Sequence, residues 1–271
     1  MVKNVLRTAL FSLFILSYCA CTVSPTYSRK DIETAIKNLC KQEFSIDVKV
    51  WEVGDTIWVY FPFEKIVNKE GTEFNEEFSG KMNNVILSLR RIILSMDKRP
   101  KFYTFVASDI NAGFDLYFVW YVEDLVMLET GYISRGEFQE RQGYLYAVDS
   151  KAIGNTQGDH IQRHNLTMGE FVSYLIRQNM ESKFLAENMK DKFQINDLRA
   201  KYLEGKIEIS FDIVVKKYEE GLLSPYDEAL KSAKKYLKIY SYPQEITEIV
   251  ITDTFNKKSR FYTINALREE N

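Results

Sequence analysis

The apolar positions of this chain change period along its length, and each change marks an element. In "EEFSGKMNNVILSLRRIILSM" the residues Phe78, Met82, Val85, Leu89, Ile92 and Met96 recur at steps of three and four, the signature of one helix face. Asn75 stands before it as a cap. Ile32, Ile36 and Leu39 repeat the spacing beside Cys40, which predicts that this thiol is a small buried hydrophobe. Elsewhere the period is two. Ile207, Ile209, Phe211 and Ile213 alternate with Glu208, Ser210 and Asp212, as in a strand with one face in water. Two other runs, "IWVYFPF" and "FDLYFVWYV", are apolar on both faces: Leu116, Phe118, Trp120 and Val122 on one side, Tyr117, Val119 and Tyr121 on the other.

These patterns occur twice in the same order. Phe44 to Phe61 resembles Phe193 to Phe211, each an alternating stretch, a glycine-containing turn and a second strand ending in Phe. Arg99 to Val119 resembles Tyr242 to Ile264, each running from a proline through a strand ending in Asp (Asp109, Asp253), a turn and another strand. A helix lies between the paired stretches in each half. The expected fold is α+β: two helix-strand-strand-helix-strand-strand units with antiparallel sheets, at 28–124 and 167–271, joined by an insert at 125–166. Ser28 with Asp31, Thr167 with Glu170, and Ser224 with Pro225 and Asp227 supply helix starts at matching places.

The N-terminus is different. Lys3 and Arg7 precede a short apolar core, Ala9 to Leu16, too short to span a bilayer, and small residues follow around Ala20. With Cys19 and Cys21 at its end, the segment 1–21 resembles a bacterial lipoprotein signal, although Tyr18 stands where that pattern usually has Leu. The resemblance implies that Cys21, behind the small Ala20, is acylated and becomes the first mature residue. The protein would then be exported and anchored by lipid, at the periplasmic side of the outer membrane in a Gram-negative cell, with 22–27 as a tether. An ordinary secretory signal cut near Cys21 is the alternative, and it also exports the chain.

Composition narrows the partners. Lys and Arg number 36 against 38 Asp and Glu, and the basic residues are scattered, which argues against a nucleic-acid surface. No phosphate loop, dinucleotide fingerprint or nucleophile elbow is present, and no cofactor is expected. His160 and His164 are four residues apart with Asp159 beside them, metal-ligand residue types, but Gly154 and Gly158 describe a loop, and a solvated loop is the expectation. Asp109 and Asp253 read as turn formers.

Two surfaces are candidates for contact. Tyr117, Val119 and Tyr121 need a cover, either from the insert or neighbouring unit or from a partner or apolar ligand. In the insert, Ser134 and Glu137 open a short helix ahead of the alternating Tyr144, Tyr146 and Val148, with Arg135 and Arg141 nearby. That stretch is either a contact site or, more simply, a connector that tucks its aromatics against the first sheet. The reading that joins these features is a membrane-tethered, non-enzymatic envelope lipoprotein acting as a binding or assembly module with an envelope protein partner. An apolar-ligand or lipid carrier and a metal-dependent hydrolase at the insert loop are the alternatives.

Overall fold

The first half of the chain begins with a capped 3-10 turn that runs into a helix, the second with a helix whose first turn is held by a polar side chain. The structure, a computed structural model, describes residues 26–68, 73–217 and 222–269. The signal segment with Cys21, and 22–25 of the tether, lie outside the described residues. The first half runs α1 (Ile32–Phe44), β1 (Lys49–Val53), β2 (Thr56–Phe63), α2 (Glu76–Leu94), β3 (Phe102–Asp109) and β4 (Phe114–Tyr121). After α3 (Val122–Glu129), α4 (Arg135–Glu140) and β5 (Gly143–Val148), the second half repeats the order as α5 (Met168–Phe184), β6 (Phe193–Leu203), β7 (Lys206–Val215), α6 (Pro225–Ile239), β8 (Glu248–Asp253) and β9 (Lys258–Thr263). A terminal α7 (Ile264–Glu269) follows.

The starts of α2, α5 and α6 are where the sequence puts them, whereas α1 begins at Ile32, beyond Ser28. Asn75 accepts from the N–H groups of Glu77 and Phe78, Ser224 accepts from Asp227 with Pro225 in the first turn, and Thr167 with Glu170 forms a reciprocal box. Ser28 caps a 3-10 turn, Arg29–Asp31, that leads into α1.

The α+β layering is as expected, but the sheets are mixed. Their strand orders are β1-β2-β3-β4-β5 and β6-β7-β8-β9. In both, the outer pairs are antiparallel and the pair joined through a helix, β2 with β3 and β7 with β8, is parallel. A tight turn returns a strand antiparallel to its neighbour, whereas a helical crossover brings the chain back to the same end of the sheet. The two halves differ in length. Counted from the first hairpin turn, Phe61 corresponds to Phe211, but the ladders set Phe63 opposite Asp109 and Phe211 opposite Asp253. The parallel ladder of the first half is therefore two pairs longer, eight against six.

Four layers result. One face of the first sheet, with Val59, Phe61, Phe105 and Trp120, packs against α1 and α2 through Ile36, Cys40, Val85, Leu89 and Ile92. Its other face, with Trp58, Tyr60, Phe102, Val106 and Val119, packs on α5, and α5 packs in turn with α6 on the inner face of the second sheet. The outer face of β7 stays polar: Glu208 is exposed while Ile207, Ile209 and Phe211 are buried. Where α5 begins the fit is close. A Cβ on Gly169 would stand 2.3 Å from the Tyr202 ring, so a larger residue there would have to displace that ring. Cys40 is buried, and burial pushes its thiol above the ordinary value, the behaviour of a packing residue. No helix among the described residues is long and apolar enough to cross a membrane.

Candidate functional site

The residues of the insert loop that carry metal-ligand chemistry do not converge. His160 turns inward, its side chain 2% exposed, and Nε2 donates to Asp115 Oδ1 at 3.2 Å. The buried Ser108 hydroxyl donates to the same oxygen. This assigns the tautomer and leaves Nδ1 buried without a partner. The imidazole also meets the Tyr60 ring edge-on, 5.8 Å between centroids. Gly158, at φ +73°, lies so close to Tyr60 that a Cβ would stand 2.8 Å from the ring. The loop is thereby clamped to the sheet. His164 turns the other way and pairs with Glu170 at 2.9 Å, on the carboxylate that completes the cap of α5. Asp159 lines an open cleft with Lys37, Lys49 and Arg163, whose guanidinium lies 4.1 Å over the Trp51 ring. Three cationic side chains in the cleft disfavour a metal ion there. Among the described residues there is no group of three or more His, Cys, Asp or Glu side chains that can hold one.

Asp109 and Asp253 serve their turns. Asp109 Oδ1 accepts from the N–H groups of Asn111 and Ala112 and Oδ2 from Ile66, while Asp253 accepts from Asn256.

The face of Tyr117, Val119 and Tyr121 is occupied from within the chain. Val119 is buried, and Tyr117 and Tyr121 pack on the core that contains α5. The Tyr121 ring lies 5.5 Å from Phe102, 6.4 Å from Phe171 of α5 and 5.9 Å from Tyr240. Burial raises the Tyr117 and Tyr121 hydroxyls above the ordinary phenol value, with Asp115 adding to the effect at Tyr117.

The open surface is on the opposite face, at the same end of the strand order. The stretch Tyr144, Tyr146 and Val148 does not tuck beneath the sheet. It forms β5, which adds edge-on to β4 with Phe118 opposite Tyr144, Leu116 opposite Tyr146 and Phe114 opposite Val148. Directly opposed residues share a face, so these six make one strip. Cover is complete over β3 and thins outward: Phe105 is buried, Leu116 and Phe118 are half-buried, and Tyr144, Tyr146 and Val148 are 46%, 65% and 83% exposed. The strip is the outer end of an aromatic series that begins in the core, Tyr103 on Trp120 at 4.8 Å and Trp120 on Phe118 at 5.8 Å. The alternation of Tyr144, Tyr146 and Val148 was visible in sequence. The strand partner was not, because register between β4 and β5 depends on contacts made across two intervening helices.

No protein-family model matches the chain, and no curated protein or solved structure matches it either.

Proposed function

We propose that this chain is a non-enzymatic assembly module of a bacterial cell envelope, exported and held at a membrane by lipid on Cys21, that docks through the edge of β5 and its aromatic strip. The observation that carries the docking is the strip itself, six apolar side chains on two paired strands, open at the sheet edge. The lipid anchor rests on the lipoprotein-like segment that ends at Cys21. Its outer-membrane, periplasmic setting rests on the same resemblance. The side chains of catalytic residue types have other work: His160 and Asp115 pin the insert to the sheet, His164 and Glu170 close a helix cap, and Asp109 holds a turn. The carrier alternative loses its cavity, since α5 fills the space beside Tyr117, Val119 and Tyr121.

The test is site-specific photo-cross-linking in producing cells, with the photoreactive residue at Tyr146 and, as a control, at the exposed Phe255 of the second half. A discrete adduct from position 146 that position 255 does not give is expected. Equal or absent adducts at the two positions would overturn the docking role of β5.

A further inference from the structure

The four sheet edges among the described residues are not alike. β1 carries Lys49 and Glu52, and Glu33 of α1 accepts the Glu52 N–H at 3.1 Å. β6 carries Asp197, Arg199 and Lys201 and breaks register between Ile195 and Asp197. β9 carries Lys258 and Arg260. Charges, irregular register and side-chain covers are the devices by which sheets avoid pairing with other chains. β5, "GYLYAV", has no charge and no register break, and its ladder with β4 is regular over six pairs. Its cover is slight: Gln178 Oε1 of α5 accepts the Tyr144 N–H at 2.9 Å. That bond also fixes the phase of the strand. If the Tyr144 N–H points away from β4, the backbone groups of Tyr146 and Val148, two and four residues on, point the same way.

We propose that β5 pairs with β5 of a second copy of this chain, antiparallel across a twofold axis at Tyr146, so that two five-stranded sheets become one. This rests on the docking role of β5 argued above and names the occupant. The outward-facing positions 144, 146 and 148 are symmetric about the middle one. One antiparallel register therefore satisfies all of them at once, Tyr146 opposite Tyr146 and Tyr144 opposite Val148, whereas a shift by two residues leaves either Val148 or Tyr144 without a counterpart in the strand. An uncharged strand meets its own copy without like charges face to face, which β9 with Lys258 and Arg260 could not do. Leu116, Phe118, Tyr144 and Tyr146 continue across the axis into the same strip of the second copy. In the lone chain Gln178 stands in for the carbonyl that Val148 of the second copy supplies. The pairing is isologous and closes on itself, giving dimers and not fibres.

Engineered disulfides in the full chain test the register. Opposed residues in an antiparallel pair are about 5.5 Å apart at Cα, within disulfide reach. Tyr146→Cys is expected to give a dimer band on a non-reducing gel after mild oxidation, lost on reduction. Val148→Cys alone, roughly 13 Å from its own copy in this register, is expected to give none. Tyr144→Cys combined with Val148→Cys is expected to cross-link, and adding Tyr146→Lys to that pair to abolish the band. The unsubstituted chain, run alongside, accounts for Cys19 and Cys21. If Tyr146→Cys disturbs folding, the combined variant reads the same register with Tyr146 in place. No dimer from either, or equal yield from Val148→Cys alone, overturns the proposal. A photo-cross-link from position 146 to a different envelope protein, without these disulfides, overturns the second copy as occupant and leaves the docking edge standing. Loss of both removes both.

Discussion

Tyr240, at the C-terminal end of α6, donates its hydroxyl to Asp124 of α3 at 2.7 Å, joining residues 116 apart in sequence. Arg141 donates to the other oxygen of the same buried carboxylate at 2.9 Å. Tyr240→Phe keeps the ring against Tyr121 and Phe171 and removes only the donor. It is expected to cost about 1–3 kcal/mol, the range for leaving a buried acceptor short of a partner. Urea unfolding of both proteins checks this; unchanged midpoints would mean the bond contributes nothing.

The same carboxylate predicts a pH dependence. Burial raises the Asp124 carboxyl above its ordinary value, outweighing the opposing pull of Tyr240 and Arg141. The folded state then holds this proton more tightly than the unfolded one. The group's contribution to stability falls as pH rises from about 4, the ordinary carboxylate value, through the raised value. Asp124→Asn should flatten that part of the curve. Melting temperatures of the two proteins across mildly acidic pH would diverge if this is right and run parallel if it is not.

At alkaline pH the tyrosines give a second signal. Burial pushes Tyr174 and Tyr236 up to about 12. Between the free phenol value of about 10 and that value the folded state keeps protons that the unfolded state releases, so stability drops as pH rises through the window. Phenolate absorbance should appear in two steps, the later one coinciding with loss of structure. A single step near pH 10 for all 17 tyrosines, with the fold intact, would contradict their burial.

The two histidines, four residues apart, should behave differently. His160→Ala strips a buried carboxylate of one of its donors and is expected to cost about 2–3 kcal/mol. His164 is half-exposed, and His164→Ala should cost about 1 kcal/mol or less. Equal losses in thermal or urea unfolding would show that the loop is not pinned through His160.

Anchoring is tested at Cys21. Acyl chains contribute about 0.8 kcal/mol per buried methylene, so Cys21→Ser should move the protein from the membrane fraction to the soluble one. Intact mass of the mature chain decides the matter independently: an unmodified N-terminus near Cys21 would leave export without an anchor.

Much of this fold was legible because its signals are local. Ser134 with Glu137, Thr167 with Glu170, and Asn75 act within one turn of helix, and all cap where the residue types suggest. The stripe from Phe78 to Met96 and the alternation from Ile207 to Ile213 also depend only on spacing along one element. What escaped depends on pairs distant in sequence. The parallel run of β2 beside β3 follows from a crossover and leaves no trace in either strand's pattern. Placing β5 against β4 needed α3 and α4 to turn the chain back, and the divergence of His160 from His164 follows from Asp115 and Glu170, 45 and 6 residues away respectively.

Helix α5 has sheets on both sides, and this bears on cooperativity. Phe171 meets Phe102 of the first sheet at 5.4 Å, while Phe184 meets Phe193 of the second at 4.9 Å. Neither half can lose this helix and keep its apolar interior dry. Although the chain repeats one pattern twice, the repeats are not separate foldons. A protease cut within 149–166 should leave two fragments that stay associated and unfold in one transition, and neither fragment alone should refold.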